Sequence, residues 1–347
     1  MTGAQRDGSS AGPPVPVGSP GPNDEVLQPT GAPPRMTVVI AAHTRTEYLR
    51  RAVSSATSQG AEEVLVVKFA HDPELDAELM ALGARVHVSA ERFQGGKVAE
   101  AIGIATGEAV VLLDDDDVLL EGRVAHMREI FRDPRVVFAS NGYRPFTDTP
   151  PPPGPSRPVR LFKTGEVDQL RRGLKPMLTS CISVRRSMIL PWLDDLRRLV
   201  IADHTMFIMA VIARRWMAMD PTALTGYHLG AYGTDLRPKQ SIWRGSGANA
   251  RGDIAWMLDQ LDAQTGAVHD TLTPVVAKAV VHLVFLTADP AFGNYRREMR
   301  ALLDGVGIRR PLTVPTTLMF LYGFAPRLAV RLNNIWRSLV GFHHNQG

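Results

Sequence analysis

The chain has 347 residues, of which 44% are hydrophobic, which is enough to bury a substantial core in one large domain or two modest ones. Its formal net charge is +4, and its basic residues are spread along the chain without a lysine-rich block, so nucleic-acid binding is not predicted. The single cysteine, Cys181, excludes an intramolecular disulfide framework and is typical of a reducing compartment, so we expect a cytoplasmic protein.

Residues 1–35 are rich in Gly, Pro and Ser and show no apolar periodicity. A segment of this composition does not bury enough apolar surface to offset the entropy lost on ordering. We therefore expect a disordered tail. Because the tail also lacks the apolar core of a signal peptide, nothing in it predicts export.

Strand and helix patterns alternate from residue 36 onward. Short apolar runs predict strands at residues 36–42, 63–69, 85–89 and 109–113. Helical spacing of apolar residues lies between them, around residues 48–53, 76–82 and 97–106. This alternation predicts an α/β fold in which helices cover a parallel sheet.

The second half of the chain is less regular. Residues 141–160 are crowded with proline, including four in a row at residues 150–153, and predict a mobile loop that serves as a lid or an insertion. Helical spacing returns at residues 203–215, 253–261 and 274–286. We expect residues 236–347 to form a helical C-terminal extension.

Four consecutive aspartates, Asp114 to Asp117, follow the strand predicted at residues 109–113. In an extended backbone alternate side chains share a face, so Asp114 and Asp116 are expected to project together. Two adjacent carboxylates repel and favour a bound cation, and oxygen ligands select Mg²⁺ or Mn²⁺. The carboxyl ends of parallel strands are also where such sheets bind ligands. The alternative is a solvated turn, or the N-cap of a helix at residues 120–131.

In the order of its motifs, the chain resembles the family 2 glycosyltransferases. The resemblance rests on residues 38–45, on Gly95-Gly96-Lys97 with the Thr-Gly-Glu at residues 106–108, and on residues 112–117, and it covers roughly residues 36–235. It implies a GT-A fold, which is a Rossmann-like mixed, mainly parallel sheet flanked by helices. It also implies transfer of a sugar, with inversion, from a nucleoside diphosphate to an acceptor hydroxyl.

The resemblance gives roles to individual residues. It places the metal-binding Asp-X-Asp on Asp114, Asp115 and Asp116, with Asp114 and Asp116 as ligands of Mn²⁺ or Mg²⁺ and with Asp114 and Asp115 facing the donor. The other residues expected to bind the nucleotide sugar are Ala41, His43, Arg45, Gly96 and Lys97. An ordinary turn is the alternative for the two glycines.

Two residues nearer the C-terminus complete the expected site. Asp203, in Ala202-Asp203, resembles the second acid of the family's Glu-Asp pair and is the expected general base; a helix N-cap is the alternative. His228 lies where the family often has a histidine near the metal, although a lone histidine is more often structural.

The largest departure from the family pattern follows the second strand. The family commonly has aspartates there that bind the nucleotide base, whereas this chain reads Val-Val-Lys-Phe-Ala-His-Asp at residues 66–72. Lys68 is predicted to meet a phosphate or the nucleobase, or to be a solvated lysine at the end of a strand. Two rival functions follow: a Mg²⁺-dependent sugar nucleotidyltransferase and a degenerate, non-catalytic sugar- or nucleotide-binding protein.

Residues 312–337 are both apolar and rich in arginine. Pro315 and Pro326 interrupt the apolar stretch, which is too short for a transmembrane helix. One interpretation is peripheral contact with the inner face of a membrane, which would suit a lipid-linked acceptor. The other is a pair of helices packed on the catalytic domain.

Overall fold

The computed structural model describes residues 27–42, 46–164, 178–229 and 247–287. The predicted donor-binding residues His43 and Arg45 lie outside these ranges, as do most of the predicted tail and the arginine-rich segment at residues 312–337.

The described ranges contain nine strands and nine α-helices. The strands are β1 (Met36–Ala42), β2 (Glu63–Lys68), β3 (Arg85–Val88), β4 (Ala109–Asp114), β5 (Val118–Leu119), β6 (Val136–Phe146), β7 (Arg160–Phe162), β8 (Ile182–Arg185) and β9 (Trp216–His228). The helices are α1 (Thr46–Thr57), α2 (Pro73–Ala81), α3 (Gln94–Ile104), α4 (Arg123–Ile130), α5 (Arg186–Ile189), α6 (Leu193–Arg198), α7 (Asp203–Ile212), α8 (Gly247–Asp262) and α9 (Gly266–Thr287). Short 3₁₀ turns lie at Thr179–Cys181 and Leu190–Trp192.

All nine strands form one sheet in the order β3-β2-β1-β4-β8-β6-β9-β5, with β7 paired to β9. The strands from β1 to β4 are parallel. Strand β8 runs antiparallel between β4 and β6, and β9 is again parallel to β6. The sheet is thus mixed and mainly parallel, which confirms the predicted fold class.

The two faces of the sheet bury separate hydrophobic clusters, and β1 shows how the sequence divides between them. All seven of its residues are buried. Val39 and Ala41 pack on the face covered by α3, α6 and α7, whereas Val38 and Ile40 pack on the face covered by α1, α2 and α4. This alternation is the period of two expected of a strand buried on both sides.

The C-terminal helices share the first of these clusters. Ile254 and Met257 in α8 and Leu272 in α9 are almost completely buried in it, together with residues of α7. Helix α8 therefore completes the core of the sheet. None of the helices within the described ranges is long and apolar enough to cross a membrane.

The prediction of a loop at residues 141–160 is wrong for residues 141–146, which lie in a strand, whereas residues 147–159 contain no helix or strand. Strand β6 continues to Phe146, and bulges around Gly142 keep it paired with β9. Gly142 is needed there because a Cβ atom would lie 2.8 Å from the carbonyl oxygen of Pro221. The proline-rich stretch that follows is fastened to β9 by bonds from Gly154 N to Ala223 O (2.8 Å) and from Arg157 N to Thr222 Oγ1 (3.0 Å).

Candidate active site

The carboxyl ends of β1, β2 and β4 bring Ala41, Lys68 and Asp114 to one edge of the sheet. In the strand register, Ala41 lies beside Asp114, and Ala42 lies beside Lys68. Helix α3 follows the connection from β3 and begins at the same edge, because β3 is parallel to these strands. This is the edge where open α/β sheets bind their ligands.

The aspartate cluster, Asp114 to Asp117, does not continue the strand. Strand β4 ends at Asp114, and the next residues form a turn in which Asp117 N approaches Asp114 O at 3.3 Å. Asp116 therefore lies in a turn and not in the extended backbone that was expected to make it project together with Asp114. The cluster is also not a solvated turn, because Asp115, Asp116 and Asp117 are only 1%, 8% and 1% exposed. Nor is it an N-cap: α4 begins at Arg123, and Gly122 occupies its N-cap position.

Asp117, for which no role was predicted, is a buried member of the cluster. Its Oδ1 accepts a hydrogen bond of 2.8 Å from the backbone N–H of His228. Burial, followed by the charges of Asp116 and Asp114, raises the pKa of Asp117 well above its ordinary value, against the opposing effect of hydrogen bonds from Ser180 and His228. The carboxylates thus lie close enough to disturb one another strongly.

Asp114 is held in place by residues from two other parts of the chain. Gln94 Nε2 donates to Asp114 Oδ1 at 2.8 Å and to Thr179 Oγ1 at 3.1 Å. Ser180 Oγ accepts the backbone N–H of Asp114 at 2.9 Å. Gln94, Thr179 and Ser180 were not predicted to belong to the site. The only sequence signal for Gln94 is its position directly before Gly95-Gly96.

A buried arginine supports the turn that carries Ser180. Arg123 is fully buried and donates hydrogen bonds to the carbonyl oxygens of Ser180 and Ile182 and to Thr225 Oγ1. Burial lowers the pKa of Arg123 to about 10, so the guanidinium stays protonated at neutral pH. It therefore places a fixed positive charge beneath the aspartate cluster.

The first turn of α3 contains Gly95 and Gly96, which are helical and do not form the ordinary turn of the alternative interpretation. Gly95 N donates to Val200 O at 3.4 Å, and a Cβ atom on Gly95 would lie 2.1 Å from Leu199 O. A Cβ atom on Gly96 would lie 2.6 Å from a carboxylate oxygen of Glu91. Both glycines therefore permit close packing. This packing explains the presence of glycine at the two positions without a role in binding phosphate.

Lys97, one position further along α3, is only 1% exposed. Burial lowers its pKa, and the carboxylate of Asp115 opposes this effect. Lys97 and Asp115 are therefore close enough for their charges to interact. This places a cation beside the aspartate cluster, and donor binding by Lys97 stays a prediction.

Lys68 is not a solvated lysine, so that alternative is wrong. It forms an ion pair with Asp76 of α2, and the two side chains are only 6% and 7% exposed. Asp76 also accepts a hydrogen bond of 2.7 Å from His71 Nδ1. Contact between Lys68 and a phosphate or the nucleobase stays a prediction.

Asp203 is the first residue of α7, while Ala202 occupies the N-cap position without a side-chain cap. The N-cap interpretation of Asp203 is therefore wrong. Its Oδ1 accepts the backbone N–H of His204 at 2.6 Å and lies 2.8 Å from His204 Nδ1. The side chain of Asp203 is 16% exposed, which leaves it partly accessible to a substrate.

His228 contributes to the site chiefly through its backbone N–H, described above. Its ring packs against Tyr48 and Phe146, with centroid distances of 4.4 and 5.1 Å, and its Nε2 lies 2.8 Å from Thr147 O. Within the described part of the chain, no three His, Cys, Asp or Glu side chains form a group that could hold a metal ion. A role for His228 as a metal ligand stays a prediction.

Comparison with known proteins agrees with this geometry. Residues 37–190 match the family described as glycosyl transferase family 2. No curated protein matches the sequence. The mannosyltransferase PcManGT from Pyrobaculum calidifontis, solved in complex with GDP-Man and Mn²⁺, superposes with a TM-score of 0.52 at 16% identity, over 90% of each chain. Residues 1–349 of TarS from S. aureus superpose with a TM-score of 0.51 at 13% identity, over 90% of this chain and 92% of that fragment.

The fold and the family match together define the class of protein, which is a glycosyltransferase with the GT-A fold. The match of residues 37–190 to glycosyl transferase family 2 supports the expected sugar-transfer activity.

Proposed function

We propose that the protein transfers a sugar from a nucleoside diphosphate to an acceptor hydroxyl in a single inverting displacement. The observation that carries this proposal is the buried aspartate cluster at the carboxyl end of β4, beside Ala41 and close to Lys97. It lies where a GT-A sheet receives its ligand. The acceptor is a hydroxyl compound, and a lipid-linked one suits the arginine-rich segment at residues 312–337.

The residues of the cluster fit a divalent cation. All of its side chains supply oxygen, the ligand type that Mg²⁺ and Mn²⁺ prefer. The charges of Asp116 and Asp114 add to the effect of burial in raising the pKa of Asp117, so the carboxylates of the cluster repel one another. Asp114 and Asp116 are the proposed ligands, and donor phosphates and water would complete the coordination, since such ions usually keep several waters and bridge to phosphates. When bound, the ion would act as a Lewis acid that stabilises charge on the leaving diphosphate.

The protein's own residues carry the other tasks. Lys97 contributes positive charge near the diphosphate, and Gln94 fixes the orientation of Asp114. Asp203 is the proposed general base, which accepts the proton of the acceptor hydroxyl as its oxygen attacks the anomeric carbon. Attack from the face opposite the diphosphate inverts that carbon.

Thermal melting with a panel of sugar nucleotides tests donor binding. GDP-mannose, UDP-glucose, UDP-N-acetylglucosamine and dTDP-glucose are added to the full chain with and without Mn²⁺. Selective binding raises Tm because the ligand stabilises the native state. We expect one nucleotide to raise Tm only with Mn²⁺, and Asp116→Ala to abolish that rise. Glu121→Ala, which removes an exposed carboxylate close by, serves as the control and should behave as wild type.

Release of nucleoside diphosphate from the donor identified in this way then tests the base, with water or a methyl glycoside as acceptor. Asp203→Asn should keep the donor-induced rise in Tm but lose turnover, whereas Asp194→Asn, at a side chain that is 92% exposed, should keep both. Wild-type turnover in Asp203→Asn would remove Asp203 as the base. A protein that binds a donor but never turns it over would be the degenerate binding protein.

A further inference from the structure

Asp253 lies in α8, outside the segment that matches the family, and its side chain is completely buried. Its two carboxylate oxygens accept the backbone N–H of Val200 at 2.9 and 3.0 Å, and Oδ2 also accepts the backbone N–H of Ile201 at 3.1 Å. A buried carboxylate is costly unless hydrogen bonds compensate it, so these contacts are the reason it is tolerated.

The backbone that Asp253 holds leads directly into α7. We call residues 199–202 the pre-helix segment, because Asp203 begins α7 immediately after it. Within this segment, Val200 O also accepts a hydrogen bond from Gly95 N in the first turn of α3. Ile201 O accepts a hydrogen bond of 3.0 Å from Thr205 Oγ1. The segment is therefore fixed between the helix that carries Gln94 and the helix that carries Asp253.

The packing around Asp253 keeps α8 in a defined position. Trp256 meets Trp192 edge to face at a centroid distance of 6.3 Å, and the neighbouring Ile254 and Met257 are almost completely buried. Asp253 is also electrostatically coupled to the proposed base. Burial, with a smaller contribution from the charge of Asp203, raises the pKa of Asp253 to about 7 against the effect of its backbone hydrogen bonds.

We propose that Asp253 is a positioning residue for the transfer reaction: it clamps the pre-helix segment so that Asp203 is held in place at the start of α7. The inference rests on the proposed role of Asp203 as the general base. It assigns to the C-terminal helix α8 a part in catalysis, although α8 lies outside the family match.

Asp253→Asn tests the proposal in the full chain. The change is nearly isosteric, but the NH₂ group that replaces Oδ1 would bring a second donor to 2.9 Å from Val200 N. The side chain and the segment it holds must shift to separate the two donors. We expect kcat for release of nucleoside diphosphate to fall by roughly 10- to 100-fold, since a displacement of about 1 Å can cost about 100-fold. The donor KM and the donor-induced rise in Tm should stay as in wild type. Asp259→Asn, at an exposed position of the same helix, is the control and should change none of these.

Two outcomes would overturn the proposal. One is a kcat for Asp253→Asn within about twofold of wild type. The other is a loss of donor binding in parallel with kcat, which would indicate general damage to the fold. Should Asp253→Asn not fold, amide hydrogen exchange of the wild type supplies an independent test. The Val200 and Ile201 amides should exchange as slowly as those of β1, and rapid exchange would exclude a clamp.

Asp203→Asn, measured in parallel, separates this proposal from the proposed function. If Asp203→Asn retains turnover, the base assignment fails, and the positioning role that rests on it fails with it. If Asp203→Asn loses turnover while Asp253→Asn keeps it, only the positioning role fails.

Discussion

Lys68 at the end of β2 and Asp76 in α2 form an ion pair from which water is almost entirely excluded. The pair lies after the second strand, where the family resemblance led us to expect aspartates for the nucleotide base. A carboxylate is present here after all, but α2 supplies it and Lys68 neutralises it. Burial raises the pKa of Asp76, and the hydrogen bond and charge of Lys68 outweigh this effect and lower the pKa below its ordinary value.

Asp76→Asn should destabilise the fold by about 3–5 kcal/mol, because it leaves the buried Lys68 charge without its partner. Urea unfolding measures the loss. Glu78→Gln is the matched control, since Glu78 lies in the same helix and pairs with Arg50 at an exposed position. That change should cost less than about 1 kcal/mol. Equal losses of unfolding free energy in the two variants would show that burial of the Lys68–Asp76 pair does not increase its contribution to stability.

The same ion pair should leave a signature in the dependence of stability on pH. The folded pKa of Asp76 lies below its unfolded value of 3.8, so the folded state favours the charged form. The stabilisation is thus complete above the unfolded pKa and is lost as the pH falls through the folded pKa. The difference in unfolding free energy between wild type and Asp76→Asn should be constant between about pH 5 and pH 7 and shrink below about pH 4. A difference that grows on acidification would contradict the assigned shift.

Gly95→Ala should displace the start of α3 from the chain beneath it. The new Cβ atom would lie 2.1 Å from Leu199 O and 2.6 Å from Leu196 O. Both are backbone oxygens, which cannot move aside as the end of a flexible side chain can. We expect a loss of about 1–3 kcal/mol in the free energy of unfolding, or more. Gly103→Ala, in the same helix, has Leu193 Cδ1 as its nearest contact at 3.7 Å and should be neutral or stabilising by up to about 1 kcal/mol. Comparable melting of both variants would argue against the close approach.

Cys181 should be inert towards thiol reagents in the folded protein. Burial raises the pKa of its thiol to about 12, so almost none of the reactive thiolate is present at about pH 8. Native protein should react with a disulfide reagent only as fast as it unfolds, whereas urea-unfolded protein reacts at once. Rapid modification of native protein would show that the turn around Cys181 opens readily.

The parallel half of the sheet was predictable from the sequence because its strands are buried on both faces and read as continuous apolar runs. The first four strands were placed within one or two residues. Helix starts were less accurate: α2 begins at Pro73, with Asp72 Oδ1 accepting Leu75 N as the N-cap, although apolar spacing predicted residue 76. A helix start is set by capping and not by the apolar face, so apolar periodicity alone places it too late.

The antiparallel and long-range parts of the structure were harder to predict. Strand β6 was not predicted, and its part beyond residue 140 was assigned to a loop because of the prolines at residues 150–153, which lie after the strand ends. The supporting residues of the site were missed for a different reason. Gln94 hydrogen-bonds to Asp114, and Asp253 hydrogen-bonds to the pre-helix segment. Both contacts join positions far apart in the chain, and no local sequence pattern indicates them.

The placement of β9 has a consequence for chimeric enzymes. This strand pairs with β6 on one side and β5 on the other, yet it lies beyond residue 190, where the family match ends. A transplanted piece limited to the matched residues would carry β6 with one bare edge, which is a template for aggregation. Met257 of α8 also packs in the hydrophobic cluster beneath α7. A chimera built to exchange donor specificity between relatives would therefore have to include the chain at least through α8.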